Sequence, residues 1–493
     1  MKGINDSLLA AGIAAAAAFS ATLIVFSGAP VSAQTSDFSQ TGQIRAIVSE
    51  TAMEVSSRQG ASLDAVSKLP GDAVKFYFTY STPENTEKWA ALPRDKNWSA
   101  LSNQKVRLSG SLKNGELSNV SVAPLGAVSK EHLTNPPPTV GLYKAVAVPL
   151  TIQTPSADKN FRKETVNLGV TPEAIRHSLF NAPNSVNNFY REASYGVFGF
   201  TGVHHPQADV VPVTIQAAIS NDCQDQIVNQ FTPYVRQRLL EQNIDTTNGS
   251  VDLGIIIFND TAGCPDYPFA TRGALGARGV PQWVWIPESW FATGPVILTH
   301  EIGHALGGNH PFTMRCADFD DPTTCAYTDA ADRDIMTSGG RFGMLPNNYE
   351  RRRWGWHPDG AFDDPPAGNV PLFDLHSPVL PFVKDNVRRG RFFFRALAGV
   401  HAGWDVYPEA RRNWGIFESY QTPDEAFRVG IAVRVGRSDY GDPEAKTFLV
   451  DLNPTLDDGD APLRENQQIS IGGAVIKCLR EHNPMAGTRM KVE

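Results

Sequence analysis

Apolar and polar residues alternate through the first part of the chain. The runs "QIRAIV" (43–48), "VKFYFTY" (74–80) and "QKVRLSGSL" (104–112) are rich in β-branched and aromatic residues and predict strands. In "SLKNGELSNVSV" the Asn114-Gly115 dipeptide tolerates the positive φ of a two-residue hairpin turn. A small β barrel of OB type is the expectation for 34–134. Consecutive prolines in "TNPPPT" forbid helix and ladder pairing, so 135–139 read as a stiff, extended linker.

Beyond it strand-like and helix-like periods alternate. "KAVAVPL" (144–150) and "VDLGIIIFND" (251–260) read as buried strands, and "PQWVWIP" (281–287) as a strand whose flanking prolines suit an edge. "TPEAIRHSLF" opens a helix with Thr171 as N-cap and Pro172 at the first position. "SVNNFYREASYG" (185–196) is a second helix closed by Gly196, and "TPYVRQRLLEQN" (232–243) repeats the Thr-Pro start. From about residue 361 "RFFFRAL", "WGIFESY", "VGIAVRVG", "TFLVDL" and "AVIKCL" are short strands between Pro, Gly and Asp, which predict a C-terminal β-sandwich over 361–493. The expected class is a multidomain α+β protein, with 140–360 as its central domain.

Composition sets limits on this picture. A chain of 493 residues is too long for one ordinary core. A net charge of −8 argues against nucleic acid as a partner, because phosphate-tracking surfaces need clustered cations. Arg351-Arg352-Arg353 and the arginines of 388–391 read as a solvated helix face and a loop. Lys2, the uncharged stretch Leu8 to Phe26 and the small residues of Val31-Ser32-Ala33 form an export signal, with cleavage expected before Gln34. A secreted or periplasmic protein with no stable membrane association follows. Oxidising surroundings make disulfides plausible, Cys316 with Cys325 and Cys223 with Cys264, leaving Cys478 over.

The chemistry concentrates in "HEIGHALGGNH" (300–310). Thr293 and Pro295 can start a helix that Gly307-Gly308 end in a left-handed turn. His300 and His304 then leave one helix face a turn apart, the spacing of two ligands to one zinc. Glu301 lies about 100° round the axis, placed to act as a general base without coordinating. Gly307 lets the chain reverse and return His310 as third ligand, leaving a fourth position for water, as in catalytic sites. Composition gives the string H-E-x-x-H-x-x-G-x-x-H a chance occurrence of about 10⁻⁵. "DLNPTLDDGDAP" (451–462) and "DFDD" (318–321) lack the spacing of a calcium loop and read as solvated turns, and His204-His205 as a loop pair.

These residues resemble the metzincin clan of zinc endopeptidases, whose string is followed by a methionine turn; "DRDIMTSGG" supplies Met336. Within the clan the chain resembles gametolysin-like peptidases, in "SVNNFYREASYG", "CAYTDAADRDIM", "FGMLPNNYERRRWGW", "GIFESYQTPDEAF", "VGIAVRV" and "FLVDLNP", over roughly 140–460. The resemblance implies a catalytic domain built from a twisted sheet and an active-site helix, and one zinc on His300, His304 and His310. It further implies Met336 as an apolar floor and peptide substrate added to the edge strand at Trp283, Val284 and Trp285. The family's type member has Gln where this chain has His300, and Ser338 stands where astacin-like members have a tyrosine ligand. The expected activity is endopeptidase hydrolysis of extracellular, matrix or wall proteins. The rivals are a binding protein on a non-catalytic scaffold and a zinc amidase acting on wall peptides. Residues 34–134 are a removable propeptide or a permanent module, and the stiff linker, which would hold them away from the cleft, favours the second.

Overall fold

The computed structural model describes residues 36–49, 58–59, 73–83, 87–93, 96, 98, 101–113, 115–125, 136–153, 169–206, 209–219, 223–260, 267–329, 334–337, 345–356, 362–363, 372–375, 392–393, 395–409, 417, 430–439, 445–453, 461–483 and 487–492. The expected export signal, Asn114, Cys264, the arginines at 388–391, Ser338, most of "WGIFESY" and residues 454–460 lie outside these. The chain is an α+β protein of several parts, mostly strand with few helices. Among the described residues no helix is long and apolar enough to cross a membrane.

The N-terminal region holds β1 (Ser36–Ser49), β2 (Arg58–Gln59), β3 (Ala73–Ser81), β4 (Glu87–Ala91), β5 (Lys105–Lys113) and β6 (Glu116–Pro124). All but β2 close into a barrel in the order β1-β3-β4-β6-β5, with β5 returning to β1. Phe38, Ile44, Phe78, Trp98, Val106 and Leu108 fill it. Gly42 pairs with both β3 and β5, and a Cβ there would overlap the Thr79 carbonyl oxygen. Gly115, at φ +83°, closes the β5–β6 hairpin.

The central sheet contains β7 (Gly141–Gln153), β8 (Phe198–Thr201), β9 (Asp209–Val210), β10 (Val213–Gln216), β11 (Leu253–Phe258), β12 (Phe269–Thr271) and β13 (Gln282–Pro287). Its path runs β10-β7-β11-β13-β12, parallel except for β12. One face, including Ala145, Ala147, Ile255, Ile257, Val284 and Ile286, packs beneath α1 (Val186–Ala193). The opposite face meets the helical stretch 223–241, which ends in α2 (Thr232–Glu241). Thr232 opens that helix without a side-chain cap. A wide turn over Ile227–Phe231 precedes it, and Thr232 donates its hydroxyl to the Ile227 carbonyl, so Pro233 is absorbed inside a continuing helix.

The position expected for Trp283, Val284 and Trp285 is corrected: β13 is interior, between β11 and β12, with all six residues buried. Prolines 281 and 287 bound the strand and leave the intervening amides free to pair, while the two indoles bury against neighbours. Trp283 fills the space above Gly254, and Trp285 stacks on Phe269 at 5.0 Å and donates to Thr232 Oγ1. The edge strand is β12, and its outer side is taken by the end of β1, in the register Ile47↔Thr271, Val48↔Ala270 and Ser49↔Phe269.

The barrel is therefore docked on the central domain, contrary to the separation read from the prolines. Ile47, Tyr77 and Trp89 face out of the barrel and complete the core between sheet and helix. Lys75 and the Tyr77 hydroxyl meet Asp225, and Arg236 pairs with Glu87. The linker itself is packed: Thr139 N donates to the Trp354 carbonyl, and Trp356 Nε1 donates to the Thr139 carbonyl.

Two further sheets share one core. The first contains strands Arg395–Ala396, Trp404–Glu409, Ala432–Arg437 and Thr447–Asp451, and continues into β14 (Phe312–Cys316), β15 (Cys325–Asp329) and β2. The second is built from Leu372–Leu375, Gln468–Ile471, Ala474–Asn483 and Gly487–Val492. Val406, Val433, Phe448 and Met314 of the first pack with Ile469, Ile471 and Ile476 of the second. The boundary read at 361 does not divide the structure, because the hairpin 312–329, inserted between His310 and Met336, belongs to the C-terminal sheet. Cys316 and Cys325 bridge that hairpin, and Cys223 is also disulfide-bonded. Cys478 is a buried thiol.

Candidate metal centre

Helix α3 (Pro295–Ala305) begins at Gly294 with proline at its first position; Thr293 gives no side-chain cap. Every residue from Ile297 to Ala305 is buried, because the helix lies between the sheet and α1. Tyr190 of α1 donates its hydroxyl to the Thr299 carbonyl at 2.7 Å. The helix ends in a Schellman turn: Gly308 N donates to the Gly303 carbonyl and Gly307 N to that of His304, both at 2.8 Å, with Gly307 at φ +93°. This reversal brings His310 back against the helix.

The three histidines converge as their spacing predicts. His300, His304 and His310 are buried, and their Nε2 atoms lie 3.1–3.2 Å apart. Donors at about 2.0–2.1 Å from a tetrahedral zinc would stand roughly 3.3–3.4 Å apart, close to this spacing. His300 Nδ1 lies 2.6 Å from the Ile335 carbonyl and His304 Nδ1 lies 3.0 Å from that of Gly308. Carbonyls only accept, so in the neutral imidazoles these Nδ1 atoms carry the protons and the Nε2 lone pairs turn inward. Converging lone pairs repel one another unless a cation lies between them, so the donor set fits a metal ion. Among the described residues this is the cluster of histidine, cysteine or carboxylate side chains that could hold one. His204 and His205 lie elsewhere, exposed.

Glu301 is buried beside His300 on the helix. Met336 packs against the end of the helix: Gly303 and Gly308 leave room for its Sδ and Cε, which a Cβ at either glycine would crowd. Its turn is fastened by Asp334, which accepts from Met336 N at 2.8 Å and from both the backbone and side-chain nitrogens of Asn347 at 2.7 Å. Asn347 in turn caps α4 (Asn348–Arg353) by accepting from Glu350 N.

Helix α4 braces the third histidine as well. The Glu350 carboxylate accepts the N–H of Asn309, next to His310, and pairs with Arg353. Burial pushes the Glu350 carboxyl up to about 7, against the opposing pull of Arg353 and with Asp334 adding to the rise. The arginine run is thus not a solvated face. Arg351 and Arg353 are buried, since the Pro346 carbonyl and the Tyr195 hydroxyl accept from Arg351 and Glu350 neutralises Arg353. Asp334, Asn347 and Glu350 were not singled out from sequence. Their signal was present as a capping box, an Asn with Glu three residues on, and an Asp two residues before the methionine.

The acidic stretches do not gather into an ion site among the described residues. Asp318 and Asp321 accept from nearby backbone amides in tight turns, and Asp451 pairs with Arg315. No protein-family model and no curated protein matches this chain.

Proposed function

We propose that this chain is an exported zinc endopeptidase of metzincin type, resembling gametolysin-like enzymes. The observation that supports this reading best is the meeting of three inward-facing Nε2 atoms, with Glu301 on the helix that carries two of them and Met336 packed against that helix. His300, His304 and His310 would hold the ion. A zinc ion held there would supply Lewis acidity, which lowers the pKa of a water towards about 7 and polarises a carbonyl. The Glu301 carboxylate takes the proton of the attacking water and passes it to the departing amine nitrogen. The Ile335 and Gly308 carbonyls keep the imidazoles oriented throughout. The N-terminal barrel, in its strand order, is read as an OB-type module and the C-terminal sheets as a sandwich. The disulfide at Cys316–Cys325 supports an oxidising destination.

The test is Glu301→Gln. This variant should bind zinc as the parent does and lose roughly 10²–10⁴-fold in casein hydrolysis. Zinc-carrying protein that cleaves neither casein nor purified wall peptides, whether the β1–β12 pairing is intact or loosened, would overturn the reading.

A further inference from the structure

We infer that residues 46–49 are a resident occupant of the peptide-binding edge, and that the N-terminal barrel is an intramolecular inhibitor. The inference rests on the peptidase reading above. An extended peptide added to the central sheet beside α3 has one strand to join, because β13 is interior and β10 ends the sheet on its far side. That strand is β12. Two residues beyond it Gly273 N donates to the His304 carbonyl at 3.0 Å, so the edge runs directly to the turn of helix that carries a metal ligand.

The outer side of β12 is already paired. Arg272 N donates to the Ala46 carbonyl at 2.8 Å, and the antiparallel register continues to Ser49 opposite Phe269. Bonded and non-bonded pairs alternate along such a ladder, so Ala46–Arg272 and Val48–Ala270 are the bonded ones. A substrate backbone needs those same groups and cannot share them. Asn103 of the barrel donates to the Arg272 carbonyl at 3.2 Å, and Gln224 donates to Ser49 Oγ at 2.7 Å, fixing both ends of the occupant.

The same chain also covers the second edge. Strand β2 pairs with β15 at Arg58↔Tyr327 and Gln59↔Ala326, in the sheet whose β14 follows His310. One N-terminal segment thus pairs with both β12 and β15. This arrangement is stable because β1 is held in the barrel by β3 across the same residues, and because Ile47, Tyr77 and Trp89 are part of the central core. Opening the edge requires the barrel to move as a body.

Two full-length, zinc-loaded variants test this, with binding as the readout. Val48→Cys with Ala270→Cys places thiols on a bonded pair whose Cα atoms stand about 5.5 Å apart, within disulfide range. Val48→Pro removes the amide aimed at β12, which by alternation is not bonded to β3. The probes are a four-residue peptide hydroxamate, long enough to lie along β12, and acetohydroxamate, which reaches only the metal. The oxidised double-cysteine protein should bind the peptide hydroxamate at least tenfold more weakly than its reduced form, while Val48→Pro binds it at least tenfold more tightly than the parent. Acetohydroxamate should bind all forms alike. Equal peptide affinity in the oxidised and reduced forms overturns the inference, and this arm decides the matter if the proline variant does not fold. If the peptide hydroxamate responds as expected but no form cleaves casein, the occupied edge stands and the endopeptidase reading fails.

Discussion

A Cβ on Gly303 would fall well inside van der Waals contact distance of the Met336 sulfur, so the helix that carries two candidate ligands and the turn of Met336 touch through a missing side chain. The turn also receives His300 Nδ1 at the Ile335 carbonyl. Gly303→Ala should therefore move Ile335 and Met336 together. Disturbing an outer-shell partner costs about 10–100-fold in metal affinity, and overpacking costs roughly 1–3 kcal/mol. Chelator competition for zinc and urea unfolding measure the two effects; unchanged zinc affinity would show that the turn does not orient His300.

Removing a candidate ligand acts more directly. His304→Ala leaves two of three imidazoles, and elemental analysis should find the zinc of the parent lost. A variant that kept its full zinc would remove His304 from the ligand set.

Glu350 gives a pH signature. Its folded pKa of about 7 stands above the ordinary 4.5, so between these values the native state holds a proton that the unfolded chain has released. Native stability from this group is highest below the lower value and declines as pH rises to the upper one. Subtracting the stability of Glu350→Gln from that of the parent should yield a difference that is flat below pH 4.5, falls up to about pH 7, and levels off. Urea melts across that range provide the measurement, and a difference that rose with pH would contradict the burial argument.

The Cys316–Cys325 bridge closes a short loop on the hairpin that leads from His310. Replacing both cysteines with alanine should cost roughly 2–3 kcal/mol by loop entropy, read from urea melts under non-reducing conditions. A loss below about 0.5 kcal/mol would mean that sheet pairing alone holds the hairpin.

The histidine cluster was legible because its determinants are local. A separation of four residues fixes one helix face whatever surrounds it, and Gly307 supplies the only conformation that reverses the chain at once. The edge was not legible at Trp283 to Trp285 because prolines at a strand's ends resemble prolines on an edge. Whether β13 is an edge depends on β11 and β12, which pair with it on either side, and the outer side of β12 is met by β1, more than 220 residues earlier by the register Ile47↔Thr271. The arginines of α4 misled for a similar reason, since three cations in a row are solvated unless a remote hydroxyl and a local carboxylate receive them.

His310 stands two residues before β14, which runs parallel to the strand Thr447–Asp451, and its neighbour Asn309 donates to the Ala445 carbonyl at 2.7 Å. The third imidazole is thus anchored by residues encoded some 135 positions later. A gene shortened at the apparent end of the central domain would still spell the whole histidine string yet lack the scaffold that steadies its last member. The C-terminal region is therefore not a detachable passenger: it would have to be inherited, expressed and retained with the string for the ion to be held.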